Sequence, residues 1–111
     1  MVGLDELRRI IKNLIQTYAE FKPSYGDIET EVVFDETNDH YELMHVGWTK
    51  QERIHGSVIH IDIQDGRVWL QHDGTNAVIA EELVRAGIPR DQIVLGFRAP
   101  ELRQYTDFAQ T

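Results

Sequence analysis

Asp65-Gly66 is the pair of residues that most limits what this chain can fold into. The two-residue hairpin turn that matches strand twist needs positive φ at both central positions, and Asp-Gly adopts it at little cost. Alternating apolar residues flank the pair, Val58-Ile59-His60-Ile61-Asp62-Ile63 before it and Val68-Trp69-Leu70 after it. Together they specify a β-hairpin. A two-residue loop then sets the ladder. Gln64 pairs with Arg67, Ile63 with Val68, Asp62 with Trp69, Ile61 with Leu70 and His60 with Gln71. The pleat gives Ile59, Ile61, Ile63, Val68 and Leu70 one face, the core face. His60, Asp62, Gln64, Arg67, Trp69 and Gln71 take the other.

The hairpin sits inside a longer run of elements. Leu4, Leu7, Ile10, Ile11, Leu14, Ile15 and Tyr18 recur at spacings of three and four, the stripe of an amphipathic helix. Arg8, Arg9 and Lys12 lie off the stripe, and Pro23 and Gly26 end the segment. Strands are expected over 30–35, 40–48, 53–64 and 67–73. Gly74-Thr75-Asn76 opens a helix over 77–86, with Thr75 or Asn76 as its cap, and Gly87 and Pro89 close it. Ile93-Val94-Leu95 reads as a short extra strand, and 101–105 as a last short helix. The order predicts one α+β domain over 1–111: an N-terminal helix, a four-stranded, mainly antiparallel meander, then C-terminal helices.

Composition narrows the function classes. No Cys is present, which removes disulfides, thiolate metal sites and a thiol nucleophile and suits a reducing cytoplasm. The longest stretch without Asp, Glu, Lys or Arg is Ile54–Ile61, far short of a spanning helix, so no membrane is expected. The N-terminus has acids and no apolar core, unlike a secretory signal. Net charge is −8, against the basic face that nonspecific DNA binding requires. Between Asp27 and Glu42 lie seven acids and no Lys or Arg. That run is either a solvated strand edge or a surface for a basic partner.

Few residues suggest chemistry. His60-Ile61-Asp62 puts an imidazole and a carboxylate on one strand face, two ligands where a metal site needs three or four. A surface histidine hydrogen-bonded to an aspartate is the reading the pair favours, and no metal or other cofactor is expected. Ser24 and Ser57 lie in no nucleophile elbow. Trp69 stands out as a tryptophan among polar neighbours. It anchors an interface with His60, Asp62, Arg67 and Gln71 around it, or a helix folds back over it.

The stretches DHYELMHVGW (39–48), RIHGSVIHIDIQDGRVWLQHDGT (53–75), IAEELVRAGIP (79–89), DQIVLGFRAPELR (91–103) and YTDFA (105–109) resemble the XisI-like family over nearly the whole chain. The joint spacing is specific, whereas each piece alone is weak. The family pattern has a Pro pair where this chain has Ala99-Pro100, and often Arg or another polar residue at His72. The family's namesake is the controlling factor for excision of the fdxN DNA element in nitrogen-fixing cyanobacteria. The resemblance implies a non-enzymatic accessory factor that pairs with a XisH-like protein of nuclease fold and meets DNA indirectly through a recombinase or nuclease. It supplies no active-site residues. Self-association, or docking of the partner, is expected from the outer sheet face around Trp69. The competing readings are a direct DNA-binding factor and a small metal-dependent enzyme using His60 and Asp62.

Overall fold

The computed structural model describes residues 1–111. Helix α1 covers Leu4–Ala19. Strands β1 (Asp27–Asp35), β2 (His40–Thr49), β3 (Glu52–Gln64) and β4 (Arg67–Asp73) follow, then helix α2 (Ile79–Arg85) and strand β5 (Ile93–Leu95). Short 3-10 helices occupy Arg90–Gln92 and Pro100–Tyr105. The five strands form one sheet in sequence order. The first four make an antiparallel meander, and β5 returns through α2 to lie parallel to β4. The α+β architecture is the expected one, with the short extra strand completing the sheet.

The Asp65-Gly66 turn has φ of 51° and 78°, the left-handed pair the sequence demands. The ladder holds from Gln64↔Arg67 to Ile61↔Leu70 and then shifts by one residue. His60 pairs with His72, not with Gln71, because Gln71 is an extra residue bulged out of β4. The bulge turns His72 outward with His60 and Asp73 inward beneath α2. There the Asp73 carboxylate accepts the Ile79 amide at 2.9 Å and the Thr75 amide at 3.0 Å. The helix therefore starts at Ile79, two residues later than expected. Val78 holds the cap position, and neither Thr75 nor Asn76 caps it. Asp73 does that work from the end of the strand.

Both helices lie on one side of the sheet. Leu7, Ile10, Ile11 and Ile15 of α1 and Ile79, Ala80 and Leu83 of α2 are buried against Tyr41, Leu43, Ile59, Ile61, Ile63, Val68 and Leu70. All five residues assigned to the hairpin's core face are buried. Polar ties close the ends. The buried Gln92 amide donates to Gly66 O at 2.9 Å and to Val2 O at 2.7 Å, fastening the N-terminus to the hairpin turn. Arg8 donates to Asp39 at 2.8 Å, and Tyr41 OH donates to the same oxygen at 2.8 Å. The Arg8 guanidinium holds the Asp39 carboxyl below its usual range, while burial and the Asp39 carboxylate push the Tyr41 hydroxyl up.

Part of the acidic run is thus matched by α1, since Lys12 also pairs with Glu36 at 2.7 Å. The rest borders the sheet. Asp27, Glu29 and Glu31 are exposed along β1, a charged edge that discourages pairing with another strand. Gly47 allows β1 to lie where it does: a Cβ there would stand 2.1 Å from Asp27 O and 2.7 Å from Ile28 Cα.

Gly47→Ala must therefore push β1 away from β2. We expect a loss of about 1–3 kcal/mol, typical of overpacking, read from the urea midpoint, with amide protection lost first in β1. Arg8→Ala should lower the midpoint at pH 7. The Asp39 pKa is depressed in the fold, so the pair's contribution is complete above the ordinary carboxylate value. The gap between variant and wild type should then narrow as pH falls below about 4.

Candidate functional site

The sheet face away from the helices carries the candidate residues. Across β1, β2 and β3 its rows are fixed by register. Asp27 stands beside Trp48 and Trp48 beside Arg53; Glu29 beside Val46 and Val46 beside His55; Glu31 beside Met44 and Met44 beside Ser57. Acids thus line the outer strand, apolar side chains the middle one, and basic or polar groups the third. Val33 is 47% exposed and Trp48 51%. Arg53 lies over the Trp48 ring at 5.4 Å, leaving half of the indole in water.

The far end of this face is polar. Register sets His40 beside Asp62 and Glu42 beside His60. Asp62 is buried, and its Oδ1 meets His40 Nδ1 at 2.7 Å and His60 Nε2 at 2.9 Å. The Gln71 amide donates to its Oδ2 at 3.2 Å. Glu42 Oε1 lies 4.0 Å from His60 Nδ1. The hydrogen bond to Asp62 raises the pKa of His40, and the charge of Asp62 adds to it.

The structure therefore brings His60, Asp62 and Gln71 together and adds His40 to them. His40 escaped the sequence reading because its neighbour across the ladder depends on how β2 and β3 register. That register carries its own irregularity between Leu43 and Met44. Arg67 stands apart at the hairpin turn, its Nε buried without a partner. Trp69 lies beside Asp62 in the ladder but is partly buried. The Arg103 guanidinium, itself 9% exposed, lies over its ring at 5.1 Å. Arg103 also donates to Arg98 O at 3.1 Å and Leu95 O at 3.3 Å, locking the C-terminal turn onto β5. Ala109 extends this cover through a bridge to Val94, the neighbour of Trp69 on β5. Trp48 is the more exposed tryptophan of the face.

The fold and this face define a small α+β protein whose meander sheet is packed by helices on one side and open over β1–β3 on the other. The chain belongs to the XisI family: the XisI protein family model matches residues 1–110. It is similar to a XisI-like protein from Anabaena variabilis ATCC 29413, with 44% identity, a TM-score of 0.91, and 96% of this chain and 98% of that chain covered. It is also similar to fdxN element excision controlling factor XisI from the same organism, with 31% identity, a TM-score of 0.83, and 96% and 97% covered. No curated protein matches the chain. No helix is long and apolar enough to cross a membrane.

Arg103→Ala should uncover Trp69 while leaving the helical core intact. In a Trp48→Phe background, we expect a red shift of the remaining indole emission and a loss of about 1–3 kcal/mol, the scale of hydrogen bonds from a charged donor.

Proposed function

We propose that this protein is a non-enzymatic accessory factor in site-specific DNA excision, acting in the cytoplasm by protein contact through the open sheet face. The relative named as an fdxN element excision controlling factor supports the process. The row order of the face supports the mode. Half-exposed Trp48 and Val33, with Met44 and Val46 between them, gain little in water and much in an interface. A twofold axis along β2 would turn the acidic row of one copy onto Arg53 and His55 of the other, with the apolar rows face to face. The face thus fits a second copy of this chain. Trp48 serves as its aromatic anchor at one end of the apolar row, and Trp69, with His60, Asp62, Gln71 and Arg67, forms its polar margin.

Direct DNA binding fits less well. The face presents Asp27, Glu29 and Glu31 to solvent, and net charge is −8.

Light scattering after gel filtration should give a dimer mass for the wild type and a monomer mass for Trp48→Ser at low micromolar concentration, with circular dichroism unchanged. Loss of such an anchor costs about 2 kcal/mol or more, a tenfold or greater weakening. A monomeric wild type that captures a XisH-like protein, and loses it with Trp48→Ser, would move the occupant of the face to that partner. A monomer that captures nothing through Trp48 would overturn the proposal.

A further inference from the structure

The polar end of the open face holds a cluster that hydrogen bonding alone does not exhaust. A ring nitrogen of His40, a ring nitrogen of His60 and an Asp62 carboxylate oxygen all lie within 4.8 Å of one another. They come from adjacent strands, and the ladder that pairs His40 with Asp62 and Glu42 with His60 fixes their spacing. The three donors are two neutral-capable imidazoles and one carboxylate, a set suited to late first-row divalent ions.

Distances decide whether an ion fits. Zinc bonds to imidazole nitrogen and carboxylate oxygen run to about 2.0–2.2 Å. Neighbouring donors then stand roughly 3.0 Å apart around an octahedral ion and roughly 3.4 Å apart around a tetrahedral one. The two nitrogen–carboxylate separations of 2.7 and 2.9 Å need to open by a few tenths of an ångström, the smaller change leading to the octahedral arrangement. The two imidazole nitrogens, within 4.8 Å of each other, need to settle at the same spacing by rotation of the exposed His40 ring. Asp62 is already held by Gln71 through its other oxygen. Glu42 faces the second ring nitrogen of His60 at 4.0 Å, where a carboxylate can orient a metal-bound imidazole. The His40 side chain is 55% exposed, which leaves an entry path and room for water in the remaining positions.

We propose that His40, His60 and Asp62 form a binding site for a divalent transition-metal ion of the zinc type, with open coordination positions toward solvent. The site lies at the polar end of the face, independent of the apolar row that carries the partner proposal.

Equilibrium dialysis of chelator-treated full-length protein against Zn2+, with metal counted by mass spectrometry, tests it directly. One Zn2+ per chain is expected for the wild type and for His45→Ala, a histidine on the helix-covered face beside Thr30. His40→Ala should weaken binding at least tenfold, and Asp62→Asn should abolish it. His40 is exposed enough for its variant to fold even if Asp62→Asn does not. With Co2+ in place of Zn2+, a visible absorption band should appear in the wild type and be lost in His40→Ala. Failure of the wild type to bind Zn2+ at hundred-micromolar concentration would overturn the proposal, and so would equal binding by His40→Ala. Either result leaves the dimer measurement on Trp48 untouched.

Discussion

The pleat of β3 sends Ile59, Ile61 and Ile63 toward the helices and His60 and Asp62 the other way. Because α1 and α2 both lie on the first side, the core is closed there, and the second side is left to whatever chemistry its residues hold. A one-residue slip would exchange the two sets, burying His60 and exposing three isoleucines. The left-handed Asp65-Gly66 turn is what forbids the slip, since it fixes Gln64 opposite Arg67 and sets the pairs from there to Ile61 opposite Leu70. The buried Gln92 amide, bonded to Gly66 O, reinforces the same turn from the far end of the chain.

The parts of the fold visible in the sequence are those whose signals are local. A turn dipeptide, an alternating run and a helical stripe each span a few residues, and the hairpin, α1 and the core face follow from them. What stayed hidden depends on distant partners. The bulge at Gln71 leaves no local mark, because β4 reads as the same alternating strand with or without it. Its purpose appears only with Asp73 beneath Ile79, where a carboxylate from a strand end replaces the expected cap. Trp69 shows the same limit. Its polar neighbours along the strand are real, but Arg103, thirty-four positions later in the sequence, covers its ring. Two of the three residues in the cluster were legible for the same reason. His60 and Asp62 share one strand, whereas His40 joins them only across the β2–β3 ladder.

The acidic run also divides once the fold is known. Asp39 and Glu36 face Arg8 and Lys12, the cations that lay off the apolar stripe of α1. These pairs dock the helix onto the β1–β2 turn and place Tyr41 in the core beneath it. Asp27, Glu29 and Glu31 make no such pairs and are exposed along the edge strand. The other edge is protected differently, by being short and by the Ala109 bridge across Val94. Charge guards the long edge and chain guards the short one, so both edges resist strand addition by another molecule. Association through the sheet is thereby directed away from its edges and toward its open face.

That face is ordered along two directions. Across the strands it runs from acid through apolar to basic, the order that a twofold contact can match with itself. Along the strands it runs from Trp48 at one end to the His40, His60 and Asp62 cluster at the other. The two ends ask for different environments. Water weakens the contribution of the indole, so Trp48 gains when a partner excludes it. The cluster already satisfies its buried carboxylate with three donors and tolerates the exposure that His40 shows. A contact centred on the β2 apolar row can therefore form without stripping solvent from His40, and an ion can enter the cluster without displacing Trp48. The fold needs neither event, because its main core lies on the other side of the sheet. A domain built this way can change what it contacts while the isoleucines beneath the helices hold its shape.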